Sequence, residues 1–111
     1  MRWRKLVNFK EETLWRGTIF RILKGRWPHE PIVDLMLISV NGSPSGFSLV
    51  VATGYKAGNV LCDLPKSALA KGNVHAISLD WIKKSWSTKI YECSAEDVRL
   101  IENYPALATE K

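Results

Sequence analysis

Residues 33–53 read VDLMLISVNGSPSGFSLVVAT, and the two apolar runs around one tight loop decide the fold class. In the first run Val33, Leu35, Leu37 and Ser39 share one face of an extended chain, and Asp34, Met36, Ile38 and Val40 share the other. Side chains alternate with a period of two along a strand. Both faces are mostly apolar, so the run reads as a central strand covered on both sides. Asn41-Gly42 accepts positive φ at little cost, which makes NGSPSG (41–46) a hairpin loop and residues 47–53 the returning strand. TGYKAG (53–58) then leads into a third run at 59–64, and the whole reads as an antiparallel meander.

Upstream of the meander, residues 6–9 are a short extended candidate and residues 13–22 a better one, because Thr18, Ile19, Phe20 and Ile22 favour strands. Alternation in 13–22 is not clean: Leu14, Phe20 and Ile22 share a parity with Arg16 and Thr18, while Trp15 and Ile19 share one with Arg21. Either both faces are partly covered or a bulge at Gly17 switches them. KGRWPHEP (24–31) is a loop, with one glycine, two prolines and no periodicity.

Downstream, residues 65–73 can hold one helical turn closed by Gly72, and 74–77 is too short to assign. The spacing predicts the main helix over about 78–90. Ser78 is a good N-cap, Asp80 suits the positive helix end, and Leu79, Ile82, Trp86 and Ile90 form one apolar stripe. Ser94 with Asp97 fits a capping box or a simple turn, and 98–101 is a last strand. The fold class is α+β, an antiparallel sheet of about five strands with one main helix packed on it. Repeats and linkers are absent, so residues 1–111 are expected to form one domain, with a frayed tail from about 105.

The 111 residues carry a net charge of +5 and are 46% hydrophobic, which predicts a folded core. Residues 1–30 hold eight Lys or Arg against three acids, while residues 31–111 hold eight of each sign. All the excess charge therefore lies in the first quarter, where it suits an anionic partner or simply solubility. Two cysteines are too few for a disulfide framework, and the start is basic without the apolar core of a secretory signal. With no apolar run of membrane-spanning length, a cytoplasmic location is expected.

Catalytic motifs fail on their mechanics. A phosphate loop needs G-x-x-x-x-G-K-[ST] ahead of a helix, whereas GYKAGN has the wrong glycine spacing and an apolar strand behind it. In NGSPSG a proline stands where a nucleophile elbow needs serine. His29 and His75 lie 46 residues apart with no local ligand partners, so no metal or cofactor is expected. A Cys62 or Cys93 nucleophile would have to meet His75 in space. Binding is the better class. Arg2-Trp3-Arg4-Lys5, Trp15-Arg16 and Arg26-Trp27 interleave charge with aromatic planes, as interfaces with proteins or nucleic acids do.

Six stretches, TLWRGTIFR (13–21), WPHEP (27–31), VDLMLISV (33–40), TGYKAG (53–58), ISLDWIKKSW (77–86) and IYECSAEDVRLIENY (90–104), occur in an order that resembles the bacterial immunity protein 45 family. The resemblance implies a non-enzymatic cytoplasmic protein encoded beside a polymorphic or contact-dependent growth inhibition toxin. Its partner would be the cognate toxin C-terminal domain, with nucleases among the toxin classes, and not a membrane, a small molecule or nucleic acid. A basic N-terminal quarter then implies an acidic toxin face, or binding away from the toxin's active site. No contact residues carry over from the family. On physical grounds the candidate toxin contacts are Arg26, Trp27 and His29 in the proline-bounded loop and Tyr55 and Lys56 in the glycine-framed turn. A small basic nucleic-acid-binding module is the alternative, and it predicts binding that weakens steeply with salt.

Overall fold

The computed structural model describes residues 3–23, 32–54 and 56–104. Nine antiparallel strands form two sheets: β1 (Arg4–Lys5), β2 (Thr13–Leu14), β3 (Ile19–Ile22), β4 (Val33–Ser39), β5 (Phe47–Val51), β6 (Val60–Asp63), β7 (Leu69–Ala70), β8 (Asn73–Ser78) and β9 (Val98–Ile101). The larger sheet has the order β1-β9-β3-β4-β5-β6, and the smaller has β2-β8-β7. Helix α1 (Leu79–Ser85) continues as a π-helical turn over Trp86–Ile90. The α+β class is as expected, with six strands in the main sheet and a second small sheet beside it.

The expected meander is β4-β5-β6, and β4 is the central strand that its two apolar faces predicted. Phe20 faces Leu35 and Leu100, and Leu37 faces Leu49, so these side chains make the inner face of the sheet. Against it lies the helical stripe Leu79, Ile82, Trp86 and Ile90, all buried. The Phe20 and Trp86 rings meet with centroids 5.4 Å apart, tilted by 47°. Ser78 caps the helix as expected, its hydroxyl accepting from the Trp81 amide at 3.2 Å. Lys83 Nζ donates to the Phe9 carbonyl at 3.1 Å and to the Val7 carbonyl at 3.4 Å, tying α1 to the N-terminal segment.

Three local expectations are corrected and one unassigned stretch is filled. Residues 13–22 are not one strand: β2 pairs with β8 in the small sheet and β3 pairs with β4 and β9 in the large one. The break is at Gly17 (φ +94°), whose amide donates to the Leu37 carbonyl at 2.7 Å. Both open readings hold in part: β3 is covered on both faces, with Ile19 and Phe20 buried, and Gly17 makes a turn between sheets instead of a bulge within one. Residues 6–9 are not extended. Leu6–Asn8 is a 3-10 turn that drops Leu6 into the core, closed by the Phe9 amide on the Leu6 carbonyl at 3.2 Å. The helical turn expected in 65–73 is a 3-10 turn at Lys66–Ala68, and Gly72 (φ +76°) does not close it; the glycine turns the chain from β7 into β8. The stretch left unassigned at 74–77 lies within β8, because β2 and β7 supply partners on both sides. Ser94 makes the simpler of its two options, accepting from the Glu96 amide at 3.1 Å above a 3-10 turn at Ala95–Asp97. Among the described residues no helix is long and apolar enough to cross a membrane. The frayed tail expected from 105 lies outside the described residues.

Candidate protein-binding surface

Of the five contact candidates, Arg26, Trp27, His29 and Tyr55 lie outside the described residues. Lys56 is half-buried in the turn between β5 and β6. That turn closes through the Gly58 amide on the Val51 carbonyl at 2.7 Å and the Asn59 amide on the Lys56 carbonyl at 3.1 Å. Gly54 (φ +70°) and Gly58 (φ +95°) take the left-handed conformation that the turn needs. Strand β6 follows, so no helix dipole faces the glycines and the phosphate-loop geometry is missing.

The most prominent aromatic of the described surface is Trp15, half exposed at 50%. It sits with exposed Arg16 on the turn where the chain leaves the small sheet for the large one. The turn is held on both sides. Thr18 Oγ donates to the Trp15 carbonyl at 2.7 Å, the Thr18 amide donates to the same carbonyl at 3.2 Å, and the Leu37 amide donates to the Thr18 carbonyl at 2.9 Å. Trp15 and Arg16 separate two hollows. One, about 330 Å³, is walled by Ser39, Phe47 and His75; the other, about 260 Å³, is walled by Phe9, Leu14, Thr18 and Asn103. Arg16 also borders a shallow trough of about 400 Å³ along Met36–Ser39. An exposed Trp-Arg pair on a held backbone turn between concavities is the residue pairing that interface anchors favour. In the sequence this pair is one of three places where charge adjoins an aromatic plane, and loop chemistry points instead to the proline-bounded loop and the glycine-framed turn.

The outer face of the large sheet carries a second constellation. Arg21 on β3 stands directly across from Asp34 on β4. Nε donates to Oδ1 at 2.8 Å and Nη2 to Oδ2 at 2.9 Å, a bidentate fork. Tyr104 OH also donates to Oδ2, at 2.8 Å. The Asp34 amide donates to Thr53 Oγ at 3.0 Å, and the Trp3 ring lies 4.1 Å from the Arg21 guanidinium carbon. Asp34's side chain is 1% exposed, and both its oxygens are taken, so it is a poor general base. Hydrogen bonding to Asp34 raises the Arg21 pKa further, with burial opposing. Partial burial, then the bond to Asp34, push the Tyr104 phenol up to about 12 from 10.0.

A pH dependence follows. The folded phenol holds its proton more tightly than the unfolded one, so its contribution to stability is full below pH 10 and is lost as pH rises through about 12. Tyr104→Phe is expected to lose a tyrosinate absorbance step near pH 12. Its unfolding midpoint should also fall less steeply than wild type above pH 10. A variant that keeps that step, or declines in parallel with wild type, would show that the phenol is not held by Asp34.

A cysteine nucleophile paired with His75 gains nothing from the geometry. Burial pushes both thiols up, Cys62 with help from Asp63, which is the opposite of what a thiolate nucleophile needs. Cys93 Sγ instead accepts from Trp86 Nε1 at 3.4 Å. His75 borders the hollow beside Trp15, with neither cysteine on that wall. Among the described residues no group of three or more His, Cys, Asp or Glu side chains could hold a metal, and no buried side-chain nitrogen or oxygen lacks a partner.

The fold is thus a small α+β scaffold with an exposed Trp-Arg pair on the turn between its two sheets. The family model described as Immunity protein 45 matches residues 6–100, and the chain belongs to that immunity protein family. No curated protein and no solved structure matches it significantly.

Proposed function

We propose that this protein neutralises a cognate bacterial toxin by tight stoichiometric binding, without catalysis. Membership of the immunity protein 45 family carries the reading. The setting we propose is the cytoplasm of a cell that makes, or is a sibling of one that makes, a polymorphic or contact-dependent growth inhibition toxin. The partner is the toxin's C-terminal domain, with nucleases among the candidate activities, and residues 1–111 act as one domain. Trp15 and Arg16 are the proposed anchors, because they are exposed on a turn whose backbone is bonded within itself and to Leu37 of the large sheet. The loop residues Arg26, Trp27 and His29, with Tyr55 and Lys56, remain proposed contacts on the grounds of loop chemistry. Co-expression of the toxin domain from the neighbouring reading frame, with and without this protein, tests the function. Growth is expected only when both are made. Equal arrest in the two cultures would sink the proposal for that pair.

A further inference from the structure

The registers of the large sheet place four charged side chains in one line across its outer face. Lys5 on β1 lies opposite Arg99 on β9, Arg99 lies opposite Arg21 on β3, and Arg21 lies opposite Asp34 on β4. Adjacent strands run about 4.8 Å apart, so three cations fall within roughly 10 Å. Like charges directly opposite each other on a sheet are destabilising. The row has one anion, and Arg21 with Tyr104 already occupies both of its oxygens. Among the described residues no carboxylate pairs with Lys5 or Arg99. The fold therefore keeps an unbalanced, self-repelling row of positive charge on an ordered strand face, where a flexible tail would have served solubility equally well.

The next row sharpens what the cations suit. Ile101, Ile19, Met36 and Val50 run side by side across β9, β3, β4 and β5. Cations bordered by apolar side chains attract an anion more strongly than the same cations in open water, because the local dielectric is lower. We infer that Lys5 and Arg99, with Arg21 behind them, form a docking patch for carboxylate side chains on the cognate toxin. This rests on the toxin-binding reading above and names the chemistry of the toxin's face.

Charge complementarity favours an acidic protein surface over a nucleic acid. Arg21 already occupies one face of the nearby Trp3 ring, and base stacking needs free rings in succession. A phosphate backbone needs a long basic track, whereas this row ends at the Asp34 carboxylate after three strands. A compact pair of Asp or Glu side chains matches its length.

The test uses the full chain, its Lys5→Gln/Arg99→Gln variant and the toxin domain encoded beside it. Both substituted side chains lie outside the Arg21–Asp34 pair, and their removal relieves repulsion, so the variant is expected to melt no lower than wild type. Association with the toxin domain at low salt is expected to slow by roughly 10- to 100-fold and to lose most of its salt dependence. Wild type and variant associating at the same rate would overturn the patch while leaving the toxin reading intact. No binding by wild type would overturn both. A single-stranded oligonucleotide is the third probe. If it binds through Lys5 and Arg99 while toxin binding is unchanged, the patch belongs to nucleic acid and the inference is overturned.

Discussion

Trp15→Ala is expected to weaken binding of the cognate toxin domain by about 2–4 kcal/mol, roughly 30- to 1,000-fold, with the fold intact. The two halves of this expectation have separate origins. Half of the Trp15 side chain is already in solvent, so its removal from the free protein costs little core packing. The turn that carries it is held through backbone groups, by Gly17 to Leu37 and by Thr18 to Trp15, and these survive the truncation. In the complex the whole indole would leave water, and Arg16 beside it would gain a fork for a carboxylate or carbonyl. Titration calorimetry with the toxin domain measures the loss, and a thermal melt checks the fold. Trp15→Phe should recover part of the affinity. If Trp15→Ala binds as wild type does and protects cells equally, the anchor lies elsewhere on the molecule.

Trp86→Ala is expected to act by the opposite route, through the fold. Trp86 is fully buried at the junction of α1 and its π-helical turn, packed on Phe20, with its indole N–H on Cys93. Replacing a buried Trp by Ala costs about 3–5 kcal/mol, since the surroundings only partly close the cavity. A domain of this size has only about 5–15 kcal/mol in total. The urea midpoint should therefore drop sharply, and protection in co-expression should fail through low abundance of folded protein. Trp86→Phe keeps most of the packing and loses the N–H donor, so it should fall between the two. A midpoint shift equivalent to under about 1 kcal/mol would contradict the packing described. The two tryptophans thus separate by assay: one changes affinity at constant stability, the other stability first.

What could be read in advance was what neighbouring residues decide among themselves. The helical stripe from Leu79 to Ile90, the Ser78 cap and the two-faced strand at 33–39 depend on local spacing, and each is where it was expected. The two-residue strands β1 and β7 exist because β9 and β8 lie beside them, and nothing in two residues announces a partner. Gly17 was ambiguous for the same reason, since its decisive acceptor is the Leu37 carbonyl, twenty residues away. The Arg21–Asp34–Tyr104 centre joins positions 13 and 70 apart in sequence and could not be seen in either flanking run. The charged row has the same origin: Lys5 and Arg99 come from opposite ends of the chain and meet only through strand order. The surface candidates illustrate a different limit. Exposure separates an anchoring tryptophan from a core one, and the letters of Trp15 and Trp86 are identical.

The Arg21–Asp34 fork acts as a registration pin for the sheet. Side chains alternate between faces, so sliding β3 past β4 by one residue would send Asp34 towards the helix and Leu35 outward. An unpaired carboxylate among Phe20, Trp86 and Leu100 would be far costlier than the hydrophobic mismatch alone. Strands as rich in Val, Leu and Ile as β3, β4 and β5 pair promiscuously, and little in their inner faces distinguishes one offset from the next. A single acid placed mid-sheet supplies that discrimination, and it does so while the chain is still folding, before any toxin is present.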